Sequence, residues 1–269
     1  MLPLILKESL EALYVRYHHR KFVDPDPLQF LYHYPELRDR EIVGLIASCL
    51  AYGRVSQILK SVSSILERMR PSPYAFLMNT SLKSMVSSFS GFKHRFTTGE
   101  DLSSMLWGVK GVIRDYGSVY ACFLGYLKED HDSVLPALTE LVRVLNGRGG
   151  YSGKFLLPDP QKGSACKRLN LFLRWMVRED EVDPGGWPLV SASKLIVPLD
   201  THMHRIGRAL LLTRRGQADM RSAMDITHVF RGLAPDDPVR YDFALTRLGI
   251  REDTDMDTFL RDCAGRGAT

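Results

Sequence analysis

The 269-residue sequence predicts an all-α fold, and two observations carry that expectation. Apolar residues recur at the spacing of one helix face in segment after segment, and Pro, Gly, Ser and Asp stand between those segments where helices start and stop. With 45% hydrophobic and 25% charged residues, the chain is ordinary globular material, enough for one large domain or two intergrown lobes.

The elements follow in chain order. Leu2 to His19 reads as a helix with Leu6, Leu10, Leu13 and Tyr17 on one face, placed as a lid or brace. Asp24-Pro25-Asp26-Pro27 supplies a turn and a helix start, followed by a short helical segment from Leu28 to Tyr32 that ends near Pro35. Asp39 to Leu50 is the strongest apolar helix of the front half, with Ile42, Leu45, Ile46, Cys49 and Leu50 on its core face. A bend at Gly53 leads into a second helix, Ser56 to Arg70. Tyr52 and Arg54 flank that bend; an aromatic and an arginine there suit entry into a duplex, and a plain corner capped by Ser56 is the competing reading.

Ser81 to Ser90 reads as irregular helix and loop, and Phe92-Lys93-His94-Arg95-Phe96 interleaves bases with aromatics, as a nucleic-acid contact or a snorkelling surface strip does. Asp101 to Tyr116, Ser118 to Leu127 and Ser133 to Leu145 read as core helices. Asn146 to Lys154 is glycine-rich and reads as a loop joining two lobes, with Arg148 and Lys154 placed to follow a phosphate backbone. It lacks both nucleotide-cradle spacings. Met220 to Leu233 and Pro238 to Leu248 are amphipathic helices, and Gly265 to Thr269 reads as a frayed end.

Several function classes are disfavoured. Cys49, Cys122, Cys166 and Cys263 have no zinc-knuckle or cluster spacing, so no metal is expected from them. His18, His19 and His33 have no ligand grouping and read as surface or satisfied histidines. The apolar run at Met1 to Leu6 is too short for a secretory signal, and no run approaches the roughly 20 residues that span a bilayer. A soluble, cytoplasmic protein with reduced thiols and no membrane partner is expected. The net charge of +5 permits a polyanionic partner without requiring one.

Chemistry concentrates between Gly163 and Leu212. Over Ala165 to Arg178, Leu169, Phe172, Leu173 and Met176 gather on one side of a helix, while Lys167, Arg174 and Arg178 align within about 20° on the other. A solvated basic face is the ordinary meaning of such a stripe. Downstream, Val197-Pro198-Leu199 reads as an extended entry to a helix from Thr201 to Leu212, with Asp200 as its N-cap. His202 and His204 are two apart, diverge on a helix and make a poor chelating pair. If the fold brings Lys167 to Asp200, they form an amine nucleophile and a carboxylate partner. Trp175 is expected in the core; Trp187, after Asp183-Pro184-Gly185-Gly186, is open to a core role or a base-flanking one.

At these residues the sequence resembles the helix-hairpin-helix DNA glycosylases, the superfamily of endonuclease III and the 8-oxoguanine glycosylases. Pro198-Leu199-Asp200-Thr201-His202, followed by Arg205-Ile206, is similar to the family's helix start, whose aspartate is catalytic. Gly163-Ser164-Ala165-Cys166-Lys167 is similar to the end of the hairpin, where bifunctional members carry a nucleophilic lysine. Ile46 to Val55 resembles the helix and turn that fill the gap left by a flipped base, which implies Tyr52, Gly53 and Arg54 near DNA. Gly163 and Arg174 are further DNA-contact candidates.

Only Gly163 survives of the usual Leu-Pro-Gly-Val-Gly hairpin. The interval from Lys167 to Asp200 is nearest the archaeal 8-oxoguanine glycosylase branch, in which a late-helix aspartate reads the base; Asp242 corresponds to it by order, and Thr201 is a second base-binding candidate. The pattern also looks like an uncharacterised bacterial family of similar length. The resemblance implies one two-lobed helical unit with a cleft between the lobes, about residues 36–145 in a central lobe and 1–35 with 146–269 in the second. It further implies a monomeric, cofactor-free enzyme that removes oxidised purine from damaged duplex DNA and cleaves the strand. Two other readings stand beside it: a non-catalytic DNA-binding protein that keeps the fold, and a helical protein-interaction scaffold in which the stripe is solvated and Asp200 merely caps.

Overall fold

The computed structural model describes residues 2–149, 155–248, 258–260 and 263. It is mostly helical, in agreement with the all-α expectation. The α-helices are α1 (Leu2–Tyr17), α2 (Leu37–Cys49), α3 (Val55–Arg68), α4 (Pro73–Asn79), α5 (Leu82–Ser88), α6 (Gly99–Tyr116), α7 (Val119–Tyr126), α8 (Leu135–Gly149), α9 (Lys167–Val177), α10 (Thr201–Ala209), α11 (Met220–Leu233) and α12 (Asp242–Arg247), and a seven-residue 3₁₀ helix, Pro27–His33, precedes α2. A two-stranded antiparallel hairpin, β1 (Lys93–His94) and β2 (Thr97–Thr98), lies between α5 and α6. Among the described residues, no helix is long and apolar enough to cross a membrane.

Local chemistry sets the ends of these helices. Thr98 and Asp101 form a reciprocal capping box at α6, so that helix starts two residues before Asp101. Ser72 caps α4 and Ser81 caps α5, so the serine-rich stretch from Ser81 to Ser90 holds one short regular helix followed by a turn. The corner at Gly53 is not capped by Ser56; Arg54 occupies the cap position without a side-chain bond, and Ser56 lies inside α3.

The glycine-rich loop is corrected at its start, because Asn146–Gly149 continue α8. The glycines allow close helix packing there: a Cβ on Gly149 would meet the Ser104 carbonyl oxygen at 2.4 Å, and one on Gly108 would meet that of Leu145 at 2.4 Å. Arg148 pairs with Asp115 at 2.5 Å. The remainder of that loop, Lys154 included, and the frayed end expected at Gly265 to Thr269 lie outside the described residues.

The core is one continuous apolar cluster. α6 packs on α8 and α7, α2 packs on α9, and α1 and α10 pack on α12. Glu11 of α1 holds the last of these from the outside, accepting from Tyr241 Oη at 2.6 Å and from Arg240 at 3.0 Å. On α9, Phe172 and Trp175 are fully buried, each contributing on the order of 2–3 kcal/mol of burial. Trp187 is fully buried as well, stacked on Tyr120 and edge-on to Phe172, so its role is core and not base-flanking.

One buried carboxylate ties three parts of this core. Glu41 of α2 accepts from the Val119 and Tyr120 amides, both at 3.2 Å, which caps α7. It also accepts from Trp187 Nε1 at 3.0 Å. Burial pushes its carboxyl up from the usual 4.5 to about 7, against the opposing pull of those donors. The folded chain therefore holds a proton here over a range in which the unfolded chain has released it. The associated stability is full below about pH 4.5 and is lost as pH rises through about 7, on the order of 2–3 kcal/mol. Urea unfolding across this range should show that loss in the wild type and lack it in Glu41→Gln; parallel profiles would mean that Glu41 does not titrate there.

Candidate functional site

The approach to α9 is built from turns. Asp159 caps a 3₁₀ turn, Pro160–Lys162, and Gly163 follows in the left-handed region at φ 81°. The Gly163 carbonyl accepts from Met220 N at 3.0 Å, and Ser164 bridges Asp219, so the turn is pinned to the start of α11. Cys166 is also left-handed, at φ 47°, and its carbonyl accepts the first amide bonds of α9. Lys167 is thereby the first residue of that helix.

Asp200 arrives by a different route. Leu195, Ile196, Val197 and Leu199 are buried, and Val197 N donates to Thr227 Oγ1 at 3.0 Å, which fixes the extended entry. Asp200 Oδ1 then accepts from Met203 N at 2.8 Å as the cap of α10. Its Oδ2 faces Lys167 Nζ at 3.7 Å, and the two side chains are 38% and 30% exposed. One carboxylate thus caps a helix and partners the amine at once. His202 and His204 serve as pins to different backbone carbonyls, donating to Leu248 O at 2.7 Å and to Arg215 O at 3.0 Å.

Lys167 and Asp200 line a cavity of about 550 Å³, a size usual for small-ligand sites. Thr201, Asp242, Tyr52, Gly53 and Arg174 line it too. Gly163 and Arg54 do not: the first stands in the turn before α9 and the second is exposed ahead of α3. Lys167 and Arg168 also border a neighbouring cavity of about 380 Å³ with Ser164 and Leu199.

Arg174 and Arg178 depart from the solvated or DNA-facing stripe. Arg174 is 3% exposed, and its guanidinium is held between Asp183 at 2.9 Å and Asp242 at 2.5 Å. Burial opposes its charge, and the two carboxylates more than restore it. Arg178 is buried on Asp180, Asp183 and Asp237. The helical projection aligned these arginines correctly, but a buried acidic segment, and not solvent, meets them. Among the described residues, Asp242 Oδ1 has no hydrogen-bond partner and is shielded from solvent. Burial raises the Asp242 carboxyl, Arg174 pulls it back, and Asp200 adds to the rise.

Sequence reading did not reach the contacts that Arg168, Asp183 and Arg247 make. Arg168 donates to Cys49 O at 2.8 Å and lies over the rings of Tyr52 and Phe155, tying α9 to the end of α2. Arg247 holds Asp26 at 2.9 Å, and both line the cavity. No periodic signal marks such pairs; the acidic pattern Asp180, Asp183 beside a doubled arginine face was the visible hint.

Two substitutions separate these roles. Asp200→Asn keeps a good cap and should leave chemical denaturation nearly unchanged, whereas Asp200→Ala should lose about 1 kcal/mol; equal losses would deny the cap. Arg174→Leu strands two buried carboxylates and should cost about 3–5 kcal/mol in the same measurement, and a loss below about 1 kcal/mol would mean the pairs hold nothing together.

No curated protein and no solved structure matches the chain. Residues 26–251, a span that contains Lys167, Asp200 and Asp242, match a family model, and the chain accordingly belongs to the family described as protein of unknown function (DUF2400).

Proposed function

We propose that this protein is a monomeric DNA glycosylase with lyase activity that excises an oxidised purine, with 8-oxoguanine the expected base, from damaged duplex DNA in the cytoplasm or nucleoid. The observation that carries the reading is the pairing of Lys167 with Asp200 at 3.7 Å in a cavity that Asp242 and Thr201 also line. In this reading the helices form the two-lobed helix-hairpin-helix arrangement, and the cavity takes the flipped base.

The residue types suit the reaction. Extruding a base costs a few kcal/mol, which protein contacts must offset. As the bond from C1′ to the base breaks, positive charge grows on the sugar, and the Asp200 carboxylate stabilises it. The unprotonated Lys167 amine attacks C1′, the base leaves with the bonding pair and takes up a proton, and the amine sheds one. The nitrogen lone pair then forms a double bond to C1′ as the C1′–O4′ bond breaks, O4′ leaving with the bonding pair and taking up a proton, which gives a protonated Schiff base. Loss of a C2′ proton then expels the 3′ phosphate by β-elimination. Asp242, fixed by Arg174, and Thr201 supply polar residues to the lining of the cavity that takes the base.

Incubating the protein with duplexes that each carry one lesion, with and without borohydride, tests the proposal. One oxidised purine should yield base release and a covalent adduct, and Lys167→Gln should abolish the adduct while leaving binding largely intact. Asp200→Asn should slow base release far more than it weakens binding. Equal trapping by Lys167→Gln removes Lys167 from the mechanism, and no release from any lesion defeats the enzymatic reading.

A further inference from the structure

Tyr52 does not project as a free wedge. Its hydroxyl is committed to His94 O at 2.9 Å and to Thr97 Oγ1 at 2.7 Å, so it forms cavity wall and anchors the β1–β2 hairpin. His94 completes the anchor from inside: Nε2 donates to Tyr52 O at 3.1 Å, and Nδ1 accepts from Ser61 Oγ at 2.9 Å. A short, firmly held hairpin is thus fixed to the lip of the cavity, with Arg95 and Phe96 as its two-residue tip.

Two features of that tip lack a structural reason. Phe96 is 72% exposed, although hairpin tips ordinarily carry polar residues. Arg95 sits in the left-handed region at φ 53°, where Gly or Asn is the usual choice. That conformation lays the Arg95 stem against Gly53, where a Cβ would meet it at 2.9 Å, and sets the guanidinium 5.6 Å from the Phe96 ring. Phe96 is edge-on to Phe155, itself 48% exposed, with ring centres 6.1 Å apart. Phe155 in turn is edge-on to Tyr52 at 5.3 Å, and the Arg168 guanidinium covers both rings. A row of three rings therefore leads from the cavity wall to the surface, flanked by two guanidiniums.

We infer that the Arg95–Phe96 tip, with Phe155, is a base-stacking shelf that receives an unpaired nucleobase of DNA beside the cavity. This rests on the DNA reading of the cavity, and it adds a preference for DNA in which a base has lost its partner. Aromatic faces interleaved with guanidiniums match the alternation of flat bases and phosphates along a strand, and a rigid tip loses little freedom on stacking. Exposure of Phe96 means that its removal leaves the core untouched.

The test uses the full-length protein and two duplexes, one fully paired and one with a stable abasic analogue opposite 2-aminopurine. Affinity is read by anisotropy and stacking by 2-aminopurine emission. The wild type and Phe96→Trp should prefer the abasic duplex and quench its emission; Phe96→Ala should lose about tenfold on that duplex, little on the paired one, and the quenching. Arg95→Ala should weaken both duplexes and flatten the salt dependence. Wild-type preference and quenching retained in Phe96→Ala overturn the shelf while leaving the Lys167 chemistry standing. No salt-sensitive binding of either duplex by the wild type overturns both. Normal shelf behaviour without any borohydride adduct on a lesion supports the shelf and overturns only the chemistry.

Discussion

The Arg174 guanidinium, buried between Asp183 and Asp242, is the contact on which the site depends. It joins α9 to the segment that directly follows it and to α12, which is distant in sequence, at the base of the cavity. Attraction between buried charges repays desolvation only when geometry is good and few lone pairs are left over. Here the guanidinium meets carboxylates on two sides, and Arg178 continues the network to Asp180 and Asp237. Such a network contributes less to net stability than to placement: with one partner removed, the remaining charges have no acceptable position, so alternative packings of α9 against α12 are costly. Lys167 sits two turns from Arg174 on the same helix and inherits that placement.

Asp200 illustrates how one residue serves both fold and site. A cap needs one carboxylate oxygen, and Oδ1 supplies it to Met203 N. The other oxygen remains for Lys167. Because the cap fixes the carboxyl group on the end of α10, and the buried run before it fixes the backbone, the Lys–Asp geometry is imposed by the fold and does not rely on the weak attraction of a half-exposed ion pair.

Much of the scaffold was legible from sequence because helix faces and caps are local. The apolar faces of α2, α9 and α11 and the Asp200 cap follow from spacing and residue type alone. The juxtaposition of Lys167, Asp200 and Asp242 was reached through resemblance, since nothing local encodes contacts across such separations. The basic stripe was read correctly as a stripe and wrongly as a surface: periodicity says which residues share a face, and only the partner segment says what covers it. Asn146–Gly149 were misread for a related reason. Glycine in a run reads as loop, while here it admits a neighbouring helix backbone. The hairpin escaped because two-residue strands carry no periodic signal, and its anchor is a Tyr–His–Ser set drawn from three segments.

In the proposed reaction Lys167 Nζ is the atom that meets the sugar, and peptide mapping identifies that atom. Protein treated with borohydride in the presence of a duplex carrying an oxidised purine would be digested and any sugar-bearing peptide sequenced by mass spectrometry. The added mass should fall on Lys167, at the first residue of α9 beside Asp200. An adduct on another lysine or on the amino terminus would remove Lys167 from the role of nucleophile.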